Sequence, residues 1–338
     1  MLLNSLGAEI SGYSLEPPTE PSLFKLCHIN SFVNSTIADI RDFNSLSEKI
    51  EHDSHEIIIH MAAQPLVRLS YSDPLTTYQT NVIGTVNLLE AIRISKTKST
   101  RAVVNVTTDK CYENKEWIWS YRENEPLGGY DPYSSSKACS ELVTSAYRNS
   151  FFNQQEYNKH KVGIATARAG NVIGGGDWAN DRLIPDFIRA ILNSERILIR
   201  NPGSIRPWQY VLEPLMGYLM LSERLYTMGD SFSESWNFGP NDDDAKSVRW
   251  IVENLCNKWG NDACFEVDNK PNPHEATYLK LDCSKAREKI NWTPRWNINM
   301  ALDSIVEFAK SYQHKEDIRT LCYNQINRYL NFEIKDRP

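Results

Sequence analysis

The chain is 338 residues long, 41% hydrophobic and 24% charged, with a formal net charge of −6. Such a length and composition describe a globular protein with a sizeable core, as one large two-lobed domain or two modest ones. The acidic balance and dispersed Lys and Arg argue against a nucleic-acid footprint, and no apolar run approaches the ~18 residues of a membrane-spanning helix.

In chain order, residues 2–7 read as the tail of a helix. Strands are predicted at 8–13, 35–39, 56–62, 101–107 and 162–168, with helices at about 42–51, 74–95 and 133–149. The runs Ile57-Ile58-Ile59-His60-Met61 and Ala102-Val103-Val104-Asn105-Val106 are almost continuously apolar, as central strands covered on both faces must be. The alternation predicts an α/β fold with a doubly wound parallel sheet of the Rossmann type. Such a sheet ordinarily opens with a strand, a glycine-rich turn and a helix N-terminus that holds a pyrophosphate. No residues ahead of 8–13 are left to make that strand or turn, so the first strand is expected to be missing, as if Met1 were an internal methionine. In the order 3-2-1-4-5-6 that strand is central. Its loss leaves the second and fourth strands unable to pair and predicts weak dinucleotide binding and low stability.

From about residue 173 the chain becomes richer in Pro, Trp and loop signals, with helices expected near 183–194, 212–228, 246–259 and 298–313. The expected organisation is a nucleotide-binding domain over 1–172, with a return segment at about 208–240, and a smaller C-terminal lobe over 173–338 that mainly binds substrate.

Tyr133 and Lys137, within Tyr133-Ser134-Ser135-Ser136-Lys137, share one face of a helix. A Lys beside a Tyr favours the phenolate, which is a base near neutral pH. Upstream, an apolar strand ends in Thr107-Thr108-Asp109-Lys110, at the carboxyl end where parallel sheets bind ligands. Gly128-Gly129-Tyr130-Asp131-Pro132 then leads into the helix bearing Tyr133. The seven cysteines include no Cys-x-x-Cys pair, so neither a disulfide framework nor a zinc site is expected, and a reduced cytoplasm is the simplest location. His274-Glu275 lacks a third ligand at useful spacing, and no metal is expected.

Together with His60-Met61-Ala62-Ala63-Gln64-Pro65, Thr80-Asn81-Val82-Ile83-Gly84-Thr85, the run from Arg168-Ala169-Gly170-Asn171 to Asp177-Trp178, Ile205-Arg206-Pro207-Trp208-Gln209 and Pro273-His274-Glu275-Ala276, these motifs resemble the extended short-chain dehydrogenase/reductases. More closely they resemble the CDP-glucose 4,6-dehydratases, over about residues 8–330. The resemblance implies an NAD-dependent hydro-lyase acting on CDP-glucose, a homodimer or homotetramer, and a product used for deoxysugars of surface polysaccharides. It implies that Tyr133 takes the C4 hydroxyl proton, with Thr108 bonded to the same oxygen and Lys137 beside them. Asp109 is then the acid that protonates the leaving C6 hydroxyl, and Lys110 the base at C5. The related dTDP-glucose dehydratases carry Glu where Lys110 stands, which points to the CDP-sugar branch.

The implied cofactor contacts are Asp39 and Ile40 at adenine, Ala62, Ala63 and Gln64 along the dinucleotide, and Asn81 in a relay beneath Lys137, with Thr107, Tyr133, Lys137 and Arg168 completing the set. Close packing competes for Ala62, Ala63, Gln64 and Asn81, and a helix cap for the segment starting at Asp42 competes with Asp39. For substrate, Asn171 and Arg206 are candidates for the diphosphate, and Arg68 lies near the sugar. Trp208 and Tyr278 either support the nucleotide or fill the lobe. The competing functions are an epimerase, a dehydratase of another nucleotide sugar, and an inactive truncated nucleotide-binding fragment.

Overall fold

The structure, a computed structural model, describes residues 1–260, 263–268 and 278–333. The first strands are β1 (Ser11–Ser14), β2 (Asn34–Ile37), β3 (Ile57–His60), β4 (Ala102–Val106) and β5 (Gly163–Ala169). There follow β6 (Val172–Ile173), β7 (Ile197–Ile199), β8 (Ile205–Pro207), β9 (Gln209–Tyr210), β10 (Ser235–Phe238), β11 (Ala245–Ser247) and β12 (Phe265–Val267). The central sheet has four parallel strands in the order β10-β5-β4-β3. β1 and β2 pair in parallel as a sheet of their own, and among the described residues neither is hydrogen-bonded to β3.

Strand periodicity decides which layer covers which face. Val103 and Ile164 point toward α1 (Phe43–Asp53) and α3 (Gly84–Ile94), where they meet Ile50, Leu88, Leu89 and Ile92. Ala102, Val104, Ala165 and Ala167 point the other way, toward Leu221 and Leu225 of α6 (Leu212–Met228). Each large aliphatic side chain so buried contributes ~1.5–3 kcal/mol, and the alanines on the second face let α6 lie close. Between β5 and β10 the chain leaves this sheet, and it re-enters through α6 and β10, which pairs with β5.

Residues 74–95 do not form one helix. α2 (Pro74–Tyr78) passes through a π turn at Gln79–Ile83 into α3. Within that turn the Asn81 amide donates to Gln64 O at 3.1 Å and to Ser136 Oγ at 2.8 Å, tertiary bonds that hydrophobic spacing does not disclose. α4 (Pro132–Ser150) starts firmly: Pro132 is at its first turn, and Asp131 and Ser134 form a reciprocal capping box.

The second lobe packs α5 (Leu183–Leu192), α7 (Val248–Trp259), α8 (Ile298–Gln313) and α9 (Ile318–Leu330) around Phe187, Ile188, Ile251, Leu255, Leu302 and Ile305. Among the described residues its strands make pairs only: β6 with β9, β7 with β12, and β8 antiparallel to β11. The buried Glu213 carboxylate of α6 ties the lobes together, accepting from Arg295 N at 2.9 Å, Trp296 N at 2.7 Å and Tyr329 Oη at 2.8 Å. The motif Pro273-His274-Glu275-Ala276 lies outside the described residues.

Candidate active site

β4 delivers Thr107 and Thr108 in extended conformation, and a 3-10 turn at Asp109–Cys111 then swings the chain across the sheet end. The turn is fixed by the Thr108 hydroxyl, which donates to Asp109 Oδ1 at 3.0 Å. Asp109 is 1% exposed, and its Oδ2 is buried without a hydrogen-bond partner. Burial therefore lifts its carboxyl above the ordinary carboxylate range, against the opposing pull of Lys110, the Thr108 hydroxyl and Arg206. Lys110, by contrast, is exposed into the cavity.

Across from this turn stands the first turn of α4. Gly129 lets the preceding loop press against it, since a Cβ there would sit 2.2 Å from Ser135 N. Tyr133 projects into the cavity, while Lys137, one turn on, is 6% exposed and donates to Val106 O at 2.9 Å. Burial pushes the Tyr133 phenol up to about 12, partly offset by a hydrogen bond with Thr108. Burial pushes Lys137 down to about 8, opposed by Glu141 and Cys111. Desolvation is the largest influence on the Tyr133 phenol.

Tyr133, Thr107, Thr108, Asp109 and Lys110 form one wall of a cavity of about 780 Å³. Arg68, Asn171, Arg206 and Trp208 line it too, so four of the five substrate candidates share the space with the catalytic candidates. Asn171 bends the chain there with φ +39°, and Trp208 is a wall rather than a free ring, its Nε1 donating to Lys246 O at 2.8 Å. Tyr278 is not in this lining; its carbonyl accepts from Asn114 and its ring lies under Lys280, so the local loop claims it.

The cofactor candidates divide. Ala62 and Ala63 are half-buried small residues beyond the carboxyl end of β3, and Asn81 holds the backbone that follows them by accepting from Gln64 N at 2.8 Å. The Gln64 side chain is spent on Thr77 Oγ1 and Leu66, and it braces the loop rather than facing the cavity. Asp39 is chelated by Arg41, which holds its carboxyl below the usual range, whereas the cap of α1 is Asp42. Ile40 is buried in the core with Leu88 and Leu89. Arg168 needs correction. Its guanidinium is 2% exposed, donating twice to Glu141 at 2.9 Å and once each to Tyr112 Oη and Glu123 O, so it locks β5 to α4 behind the site.

The sequence reading missed the opposite wall. Asp177, Asp181, Arg182 and Arg200 line the cavity, and Asp181 bridges Arg68 at 3.4 Å and Arg200 at 2.7 Å. These residues sit in polar loops with no periodicity, and only the fold gathers them. Tyr218 of α6 was missed as well; it is 3% exposed and feels both Tyr133 and Asp109.

A dinucleotide fits the donor set beside this wall. Tyr133 lines the cavity, Lys137 one turn on is bonded to the last carbonyl of β4, and the small, half-buried Ala62 and Ala63 stand past the end of the neighbouring β3. The family described as GDP-mannose 4,6 dehydratase matches residues 25–305. A CDP-glucose 4,6-dehydratase of Salmonella typhimurium is 55% identical over 97% of this chain and 91% of its own length. A dTDP-glucose 4,6-dehydratase of Streptomyces griseus is 30% identical over 76% and 72%. Among solved structures, a UDP-glucose 4-epimerase of Thermotoga maritima superposes with TM-score 0.78 at 20% identity, covering 92% of this chain and 93% of that one. The dTDP-glucose 4,6-dehydratase DesIV of Streptomyces venezuelae, with NAD bound, superposes with TM-score 0.71 at 22% identity, covering 84% and 82%. Those two show the fold; the sequence matches decide that the chain belongs to the nucleotide-sugar 4,6-dehydratase family that includes the GDP-mannose and CDP-glucose enzymes.

Proposed function

We propose that the chain is an NAD-dependent CDP-glucose 4,6-dehydratase, converting CDP-D-glucose to CDP-4-dehydro-6-deoxy-D-glucose. The observation that carries the reading is the meeting of Tyr133, Thr108, a buried Asp109 whose carboxyl is raised by desolvation, and Lys110 on one wall of a sugar-nucleotide-sized cavity. NAD, when bound, accepts the C4 hydride, returns it to C6 and sets a positive charge beside the Tyr133 phenol. Lys137, Tyr133, Ala62 and Ala63 are the residues that would hold it nearest the chemistry.

Tyr133 takes the proton of the C4 hydroxyl, with Thr108 bonded to the same oxygen. The 4-ketone so formed acidifies C5–H, and Lys110 removes that hydrogen as a proton. The C5–H electron pair becomes the C5–C6 double bond as the C6–O bond breaks. Asp109 supplies the proton with which the hydroxyl leaves as water, and Lys110 returns its proton to C5. Asn171 and Arg206 hold the diphosphate, Arg206 with a forked guanidinium.

The product class serves deoxysugars of surface polysaccharides such as O-antigen. Among the described residues no helix is long and apolar enough to cross a membrane, which fits a cytoplasmic enzyme. Exposed Ile83, Ile94, Leu142 and Phe151, along the α3 and α4 stretch, support a homodimer through those helices, and sedimentation velocity checks it. The deciding assay incubates the protein and NAD with CDP-, dTDP-, UDP- and GDP-hexoses and looks for a 4-keto-6-deoxy sugar. CDP-glucose alone should give it efficiently; turnover of a UDP-hexose to its C4 epimer would mean an epimerase instead.

A further inference from the structure

We propose that the bare Cα of Gly170 is a working part of the site, a seat that holds the Asp109 carboxyl where it protonates the leaving group. The inference rests on the dehydratase reading and adds a positioning residue to it. A Cβ at 170 would lie 1.9 Å from Asp109 Oδ2 and 2.3 Å from its Cγ. No larger residue coexists with the carboxyl in its present place.

The backbone partner has no slack. The carbonyl of Gly170 accepts from Gln209 Nε2 at 3.1 Å, and the same amide donates to Phe238 O at 2.9 Å, so the backbone at 170 is tied to β9 and β10. The next residue, Asn171, turns the chain at φ +39°. On the other side Asp109 is 1% exposed with Oδ1 held by the Thr108 hydroxyl. A methyl group at 170 is therefore relieved by swinging the short Asp109 side chain toward the cavity, where it loses the Thr108 bond and meets water. There its carboxyl loses the burial that raises its affinity for a proton and is no longer aimed at the leaving group. Oδ2 fits the seat because it is buried with no protein partner, pressed on a Cα rather than on a donor.

The test compares the native chain with Gly170→Ala, Asp109→Asn and Gly170→Ala/Asp109→Asn. Difference infrared spectra across a pH titration should show the carboxylic-acid carbonyl band of Asp109 persisting to higher pH in the native chain than in Gly170→Ala, and absent from Asp109→Asn. With NAD and CDP-glucose, Gly170→Ala should still form the 4-ketohexose, trapped by borodeuteride as hexose labelled at C4. Its release of 4-keto-6-deoxy sugar should fall ~10²-fold, and the double variant should be no slower than Asp109→Asn. A Gly170→Ala protein with the native band and native rate overturns the proposal. If Gly170→Ala does not fold, Gly170→Ala/Asp109→Ala, which removes the colliding carboxyl, must recover the fold. Failure to do so means the methyl collides elsewhere and also overturns it. Should the native chain make no 4-keto-6-deoxy sugar, the dehydratase reading fails, while the infrared comparison still decides the seat.

Discussion

Adjacent residues on the wall, Asp109 and Lys110, receive opposite environments from one short turn. Asp109 goes inward to a dry place beside Thr108, and Lys110 goes outward into the cavity. That division suits an acid that must hold a proton and a base that must reach C5. Asp109→Asn keeps the shape and cannot act as an acid, so water loss should slow ~10²–10⁴-fold. Solvent deuterium should still enter C5 of the recovered sugar in that variant, read by NMR, whereas Lys110→Met should lose this exchange as well. Lys137 carries a pH signature. Its folded value near 8 lies below the free 10.5, so the native state binds fewer protons than the unfolded chain between those values. The burial penalty is complete below about pH 8 and fades as pH rises toward the unfolded value. Urea melts at about pH 7.5 and 9.5 should show the native protein gaining on the order of 2 kcal/mol relative to Lys137→Met. The Tyr133 shift, from 10 to about 12, has the opposite sign and acts only above about pH 10, outside this window. A constant difference between the two proteins would contradict the placement of Lys137.

Among the elements, α4 and the helices expected near 183–194, 212–228, 246–259 and 298–313 were the most legible, and the short strand pairs of the C-terminal lobe the least. The Asp-Pro start and the Tyr–Lys spacing of α4 are local signals, and the helix stands at Pro132–Ser150. Its inner face, however, holds Glu141 against Arg168, a pairing 27 residues apart that no local pattern encodes, and so Arg168 was read as a cofactor contact. The Gln64 side chain is committed in the same way, its partner Thr77 lying beyond the intervening helix, whereas the expectation for Ala62, Ala63 and Gln64 concerned the approach of their backbone to the dinucleotide. The pairs β7–β12 and β8–β11 escape notice because three-residue strands carry too little periodicity. At the junction of the lobes, burial pushes the Glu213 carboxyl up to about 7 although three donors converge on it. Glu213→Gln would turn an amide NH₂ toward those donors and leave at least one unsatisfied, costing ~1–3 kcal/mol. The check is a lower urea midpoint at unchanged slope; an unaltered midpoint would show that the three bonds hold nothing.

For the molecule as a whole, the sequence conveys the doubly wound class, because buried strands write themselves as apolar runs, and the structure divides the sheet between β1 and β3. The far wall of the cavity, from Asp177 to Arg200, was illegible because its residues sit in loops of the second lobe that carry no periodicity and that only the fold gathers. The division has a dynamic consequence. β1 and β2 have only each other as strand partners among the described residues, while β4 and β5 are buried on both faces and paired on both edges. Amides of Ser11–Ser14 and Asn34–Ile37 should therefore exchange with solvent orders of magnitude faster than those of Val103, Val104, Ile164 and Ala165, read by hydrogen–deuterium exchange. Uniform protection would mean that the two sheets open as one unit. The central claim, an oxidation, elimination and reduction completed within one cavity, is tested most directly with CDP-glucose carrying deuterium at C4. The account predicts a 4-keto-6-deoxy product with that deuterium in its C6 methyl group; deuterium lost to solvent, or a C4 epimer with C6 still hydroxylated, would contradict it.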